Sequence, residues 1–142
     1  MTDPISRNEP PRLLLVEDDQ AVRRMLRMSL RTAGFEVAEV TNGREAMQLL
    51  QHQPPEVVVL DLGLPDNAGG QVLQWLRQQE QAVNGGVAWV VISALDQQEV
   101  TERHGPLGDR FIPKPFDPWD LVRTLERIGS ETRSIKAKRN EP

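Results

Sequence analysis

The chain has 142 residues, enough for one domain with a hydrophobic core, and its formal net charge is −4. A net acidic chain lacks the general basic surface with which many proteins bind nucleic acid, and no apolar run approaches the length of a membrane span. Cysteine is absent, which excludes disulfide bonds and thiolate metal sites. These features predict a cytoplasmic protein that contacts neither nucleic acid nor membrane directly.

Strand-like and helix-like segments alternate along the chain. The apolar run "RLLLV" is followed by an amphipathic segment that ends at a glycine, and the same succession then repeats. In chain order the predicted strands are 12–16, 35–40, 56–61, 88–93 and 110–114, and the predicted helices are 20–34, 42–51, 70–79, 96–105 and 117–129. Most of the strand segments are continuously apolar, which is typical of strands buried on both faces of a parallel sheet. The pattern therefore predicts an α/β fold, a doubly wound sheet of five parallel strands with helices on both faces.

Polar residues that could carry chemistry follow the ends of the predicted strands. Glu17 and Asp18 follow the first strand, Asp61 ends the third, Ser93 ends the fourth and Lys114 ends the fifth. In an open doubly wound sheet, ligands bind beyond the carboxyl ends of the strands. Carboxylates gathered there repel one another unless a cation neutralises them, and hard oxygen ligands favour Mg²⁺. An aspartate beside this metal could attack a phosphoryl group and carry it as an acyl phosphate.

Four stretches of the sequence, "LLVEDD", "VVVLDLGLPDNAGG", "VVISA" and "FIPKPF", resemble the signature motifs of response-regulator receiver domains from two-component signalling. The resemblance covers about residues 11–128, and the motifs occur in the family's order and at fitting separations. It implies a flavodoxin-like strand order of 2-1-3-4-5.

The resemblance also implies a metal site. Glu17 and Asp18 match the acidic pair that holds Mg²⁺ in the family, with Glu as a known variant at the first position. Asp61 matches a carboxylate that both binds the metal and accepts the phosphoryl group. The main-chain carbonyl of Gly63 matches a fourth metal ligand, and no other cofactor is expected.

Three further positions match the family's phosphorylation switch. Ser93 matches the hydroxyl residue that turns toward the phosphoryl group, and Lys114 matches the lysine that pairs with it. The bond between Lys114 and Pro115 resembles the family's cis peptide bond. Phe111 matches the switch aromatic, which we expect to shift inward after phosphorylation.

The domain organisation that we predict is a flexible N-terminal arm at 1–10, a receiver domain at 11–129 and a polar, basic C-terminal tail or linker at 130–142. The phosphoryl donor implied by the resemblance is a sensor histidine kinase or a histidine phosphotransfer protein. The recipient of the signal is a downstream protein or an output domain absent from this sequence, reached through the fourth helix, fifth strand and fifth helix. We expect self-phosphorylation and self-dephosphorylation but no other enzymatic activity.

Two alternatives and the oligomeric state remain open at this point. A receiver fold could act as a docking module without phosphorylation. A phosphatase with an aspartate nucleophile would need an acid two residues after Asp61, where Gly63 stands. DNA-binding relatives with winged-helix output domains often dimerise through charges on the fourth helix, fifth strand and fifth helix. Asp120 fits that set but Arg110 and Thr124 do not, so we expect a monomer or weak dimer.

Overall fold

Strands and helices alternate along the chain in a computed structural model, which describes residues 9–80 and 86–139 and the side chains up to residue 129. The elements are β1 Arg12–Val16, α1 Gln20–Thr32, β2 Glu36–Val40, α2 Gly43–His52, β3 Val57–Asp61, α3 Gly69–Glu80, β4 Ala88–Ser93, α4 Gln97–His104, β5 Phe111–Pro113 and α5 Pro118–Arg139. All adjacent strands pair in parallel, in the order β2-β1-β3-β4-β5. The predicted fold class and strand order are therefore confirmed.

The hydrophobic core has two layers because alternate residues of each strand point to opposite faces of the sheet. Leu13 and Leu15 of β1 pack with the buried residues of α1 and α5 on one face. Leu14 and Val16 pack with those of α2, α3 and α4 on the other. Both faces of β1, β3 and β4 are thus covered, which explains why their sequences show no polar alternation.

The parallel register brings the polar strand ends to one edge of the sheet. Asp61, the last residue of β3, is paired with Ile92 in β4, and Ser93 at the end of β4 is paired with Pro113 in β5. Glu17 directly follows β1 and donates its backbone N–H to the carbonyl of Val40 at the end of β2, at 3.1 Å.

Most element boundaries lie within two residues of the sequence-based prediction, but β5 is shorter and α5 longer than predicted. Arg110 belongs to a short 3₁₀ turn, Gly108–Arg110, so β5 begins at Phe111 and has only three residues. Helix α5 continues to Arg139, ten residues past its predicted end, into the segment predicted as a tail. Six of the ten added residues are Glu, Arg, Lys or Ala, which have high helix propensity. Residues 1–8 of the predicted N-terminal arm lie outside the described residues. No helix in the described part of the chain is both long and apolar enough to cross a membrane.

The loop that follows β3 is bound to the start of α2 through Asp66. The Asp66 carboxylate accepts the backbone N–H groups of Gly43 at 3.1 Å, Arg44 at 3.0 Å and Ala68 at 3.3 Å. The loop also packs closely, because a Cβ atom added at Gly43 would lie 2.4 Å from the Cβ of Ala68. Slight desolvation would raise the pKa of Asp66, but these N–H donors outweigh it, so the pKa lies below its ordinary value.

Replacing Asp66 with Ala should lower the free energy of unfolding by about 1 kcal/mol at neutral pH, the usual worth of a helix cap. Because the folded-state pKa is lowered, this stabilisation is present above the unfolded carboxyl pKa of about 4 and is lost as the pH falls through the folded value. Urea unfolding of both proteins at neutral and acidic pH measures the difference.

The Asp66→Asn variant is the matched control, because it keeps one acceptor oxygen while losing the charge, and it should fall between the other two. Equal unfolding free energies for wild type and Asp66→Ala at neutral pH would contradict this account.

Candidate functional site

Three carboxylates meet at the carboxyl edge of the sheet. Glu17 and Asp18 come from the loop after β1, and Asp61 comes from the end of β3. One carboxylate oxygen from each lies within 4.8 Å of the others. Glu17 is fully buried, Asp61 is 4% exposed and Asp18 is exposed, so the cluster opens to solvent on the side of Asp18.

Lys114 supplies the positive charge that contacts two of these carboxylates. Its Nζ atom lies 2.9 Å from Glu17 Oε1 and 3.2 Å from Asp61 Oδ2. The side chain therefore links the ends of β1 and β3 from the loop after β5. Burial by itself would lower the pKa of Lys114, but its contacts with Glu17 and Asp61 outweigh that effect and raise the pKa above its ordinary value.

The backbone around Lys114 places its side chain over the site. The Lys114 N–H donates to the carbonyl of Ser93 at 2.8 Å, which continues the pairing of β5 with β4 by one residue. The peptide bond between Lys114 and Pro115 is cis, as expected from the family resemblance.

The buried carboxylate of Glu17 is strongly constrained. Its Oε2 accepts the backbone N–H of Asp19 at 3.1 Å, while its Oε1 faces Lys114 as an ion pair but accepts no hydrogen bond of good geometry. Desolvation raises the pKa of Glu17 above its ordinary value, although Lys114 and the Asp19 amide oppose the shift. The protein therefore keeps a carboxylate in an environment that disfavours its charge.

The donor set fits a divalent cation. In their ionised forms the three carboxylates carry one negative charge each, and Lys114 offsets only one of them. Two negative charges remain at an edge open to water, and one buried oxygen, Glu17 Oε1, lacks a hydrogen bond. Oxygen ligands in a partly hydrated site suit Mg²⁺, which retains several water molecules in most protein sites.

The loop after β3 holds Asp61 in place. The Gly63 N–H donates to Asp61 Oδ1 at 2.9 Å, and the Leu62 N–H donates to the carbonyl of Ile92 at 3.3 Å. A Cβ atom at Gly63 would lie 3.5 Å from Asp61 Oδ1, so this exposed position borders the carboxylate directly. The roles of Asp61 as phosphoryl acceptor and of the Gly63 carbonyl as metal ligand stay predictions.

The two predicted switch residues are both buried. The Ser93 hydroxyl accepts the backbone N–H of Leu95 at 3.0 Å. Phe111 is 8% exposed and packs in the core layer that contains Val91 and Leu107. The Phe111 ring thus lies in the core in this structure, and its shift after phosphorylation stays a prediction.

Arg110, the residue before Phe111, forms a cluster that the sequence did not indicate. Its Nη1 donates to both carboxylate oxygens of Glu80, at 2.8 and 2.6 Å, and its guanidinium carbon lies 4.4 Å from the ring centroid of Trp89. Trp89 Nε1 donates to the same carboxylate at 3.0 Å. The cluster joins the turn before β5 to the end of α3, because Arg110 and Glu80 are in contact although they are 30 residues apart in sequence.

Arg23 is a second residue that sequence reasoning missed. Its guanidinium hydrogen-bonds the backbone carbonyls of Glu17 and Asp18. One signal was available, because Arg23 lies in the first turns of α1, where the helix dipole disfavours positive charge. Spacing alone does not separate it from neighbouring arginines such as Arg24 and Arg27.

Comparisons with known proteins agree with this arrangement. The family model described as response regulator receiver domain matches residues 13–126. The transcriptional regulatory protein SrrA of Staphylococcus aureus is 30% identical over 132 residues, which are 92% of this chain and 52% of that protein. The chain thus spans about half the length of the curated relatives that it matches.

Solved structures share the fold. A CheY-like response regulator receiver domain protein from Methanospirillum hungatei superposes with a TM-score of 0.74 at 21% identity, covering 89% of this chain and 98% of that one. The chemotaxis response regulator CheY4 of Vibrio cholerae superposes with a TM-score of 0.68 at 27% identity, covering 84% of this chain and 98% of that one.

The geometry of the acidic cluster predicts that its charges destabilise the metal-free protein. The Asp18→Asn variant removes one of three neighbouring negative charges, so without divalent cations it should raise the free energy of unfolding by about 0.5 kcal/mol. Chemical unfolding in buffer with a chelator measures this change.

The matched control is Asp19→Asn, which removes a charge from the same loop while Asn can keep the helix cap on the Val22 N–H. That variant should change stability less. Equal or opposite effects of the two substitutions would contradict repulsion within the cluster.

Proposed function

Because this chain belongs to the response regulator receiver domain family of two-component systems, we propose that it accepts a phosphoryl group on Asp61. The observation that carries the proposal is the contact of Lys114 Nζ with both Asp61 and Glu17 at the edge of the sheet. Phosphoryl transfer to an aspartate uses a carboxylate as the nucleophile and positive charge to offset the phosphoryl oxygens. Asp61 and Lys114 can supply these, and the two further acids can hold a divalent cation.

In the proposed reaction an Asp61 oxygen attacks the phosphorus of a phosphohistidine on a sensor kinase or phosphotransfer protein. A phosphorus–oxygen bond forms, the phosphorus–nitrogen bond breaks, and the released imidazole nitrogen takes up a proton. Lys114, already 3.2 Å from Asp61 Oδ2, offsets negative charge on the transferred oxygens. We propose that this transfer takes place in the cytoplasm, the location that the sequence predicts.

The ligands that we propose for Mg²⁺ are the carboxylates of Glu17, Asp18 and Asp61 and the carbonyl of Gly63. Bound there, Mg²⁺ would offset the charge of the carboxylates and of the phosphoryl oxygens. Asp18 is exposed and turned to solvent, whereas Glu17 is buried and contacts Lys114, so Asp18 offers the more accessible oxygen.

Phosphorylation would be transmitted through Ser93. The added charge favours rotation of its hydroxyl from the Leu95 amide toward the phosphoryl group. The backbone N–H of Lys114 donates a hydrogen bond to the Ser93 carbonyl, so the loops after β4 and β5 would respond together. The surface of α4, β5 and α5 would then change for a downstream protein or for an output domain outside this sequence.

The proposed role is that of a phosphoryl acceptor and not of a phosphatase for small molecules. Gly63 stands two residues after Asp61 and has no side chain to protonate a leaving group. The relative SrrA is described as a transcriptional regulatory protein, and this chain covers only about half of its length. A receiver boundary near residue 129 would leave the rest of α5 as a connection to such an output.

Incubation with a small phosphodonor and Mg²⁺ should add one phosphoryl group, read as an acid-labile gain in intact mass. Asp61→Asn should abolish the gain, because Glu17, the other carboxylate in contact with Lys114, is fully buried and out of reach of the donor. Removing Mg²⁺ with a chelator should also abolish it, and Asp18→Asn should raise the Mg²⁺ concentration that is required.

The control is Asp66→Asn, which removes a carboxylate from the same loop but outside the site and should leave the mass gain intact. A full gain in Asp61→Asn would show that another residue is the acceptor. No gain in wild type under these conditions would favour the phosphorylation-independent docking module.

We predict that the phosphorylated chain does not form the dimer of winged-helix relatives. Arg110 is bound to Glu80, and Asp109 pairs with Arg127 at 2.5 Å, so charges on this face are already matched within one chain. Sedimentation of the phosphorylated protein should give a monomer. A stable dimer weakened by substitutions at both Asp120 and Arg110 would refute the prediction.

A further inference from the structure

The side chain of Arg23 lies beside the proposed magnesium site without belonging to the acidic cluster. Arg23 lies near the N-terminus of α1, where the helix dipole disfavours a positive charge. The first turn of α1 contains no acidic residue that would compensate the charge of Arg23. Its side chain is nevertheless only 19% exposed. A partly buried cation in this position requires other partners.

Those partners are the backbone carbonyls of the two residues whose carboxylates we assign to the metal. Arg23 Nη1 donates to the carbonyl of Glu17 at 3.2 Å and to that of Asp18 at 3.1 Å. Hydrogen bonds from a charged donor are stronger than neutral ones. The two carbonyls belong to the peptide units on either side of Asp18, so one guanidinium fixes the backbone of Asp18 and its link to Glu17.

The guanidinium is itself held from the opposite side. Arg23 Nε lies 3.2 Å from Glu39 Oε1 on β2, the strand next to β1. Glu39 also pairs with Arg27, one turn further along α1, at 2.8 Å. A planar guanidinium fastened at one end by a carboxylate holds its remaining donors in a defined direction.

We propose that Arg23 is a positioning residue for magnesium, which fixes the peptide units on either side of Asp18 so that the acidic pair is arranged before the metal binds. This inference rests on the proposed function, because it assigns the metal to the same carboxylates. Arg23 does not contact the metal. It acts through the backbone, as residues around a metal site do when they orient its ligands.

Arg27 provides a matched control for this role. Arg23→Ala and Arg27→Ala each remove an arginine from α1 and one ion pair with Glu39, but of these two arginines only Arg23 contacts the carbonyls of the acidic loop. Calorimetric titration with Mg²⁺ should show about tenfold weaker binding for Arg23→Ala, the lower end of the usual effect for residues that orient ligands. Arg27→Ala should stay within about twofold of wild type.

A second readout separates positioning from a general loss of structure. The initial rate of phosphorylation of Arg23→Ala by a small phosphodonor should return to the wild-type value at saturating Mg²⁺, because only metal affinity is reduced. Partial unfolding would instead lower the rate at every Mg²⁺ concentration. Arg23→Lys keeps the charge without the planar fork, and its affinity should lie between those of wild type and Arg23→Ala.

Equal Mg²⁺ affinities for Arg23→Ala and Arg27→Ala would overturn the proposal, as would a rate deficit that saturating Mg²⁺ leaves unchanged. These outcomes differ from failure of the proposed function. That failure would appear as no phosphoryl gain in wild type, while calorimetry would still show whether Arg23 affects metal binding. Absence of Mg²⁺ binding in wild type would overturn both the metal site and the role of Arg23.

Discussion

The arrangement at the sheet edge depends on one ammonium group placed between two buried carboxylates. Lys114 Nζ contacts Asp61 at the end of β3 and Glu17 after β1, although its own backbone lies beyond β5, with β4 between. A lysine side chain is long enough for this span, and β4 ends in the small residue Ser93. The strand order and the parallel register are therefore conditions for the site, because any other order would separate these groups.

Gathering these charges at the sheet edge lowers the stability of the fold, and the proposed function accounts for this loss. Burial of Glu17 raises its pKa, and one Lys114 ammonium does not balance three neighbouring carboxylates. The excess charge is tolerable because Asp18 faces water and because Arg23 holds the backbone of the acidic loop. A site with this excess charge would respond strongly to the cation and the phosphoryl group that we propose. Stability lost at such a site is restored by the two hydrophobic layers of the sheet.

The sequence was sufficient for the parts of the molecule that local pattern and topology determine. Continuous apolar runs predict buried parallel strands, and the rule that ligands bind beyond the carboxyl edge of such a sheet predicts that Asp61 and Lys114 lie together. The sequence could not reveal contacts made by long side chains, such as that of Arg23 with the acidic loop. Neighbouring arginines of α1 lie at similar distances along the chain from that loop, so the sequence does not single out Arg23. It also could not give the rotamer of Phe111, since the same residue type serves in a core or in a switch. The extension of α5 was missed because a polar segment can be helical even where its sequence shows no apolar face.

The most direct test of the central claim is a crystal structure of the chain with Mg²⁺ and beryllofluoride, which mimics a phosphoryl group on a carboxylate. We predict beryllium bonded to Asp61, Mg²⁺ about 2.1 Å from oxygens of Glu17, Asp18 and Asp61 and from the Gly63 carbonyl, and Lys114 in contact with a fluoride. Beryllofluoride on a different carboxylate, with Asp61 unmodified and still paired with Lys114, would contradict the account.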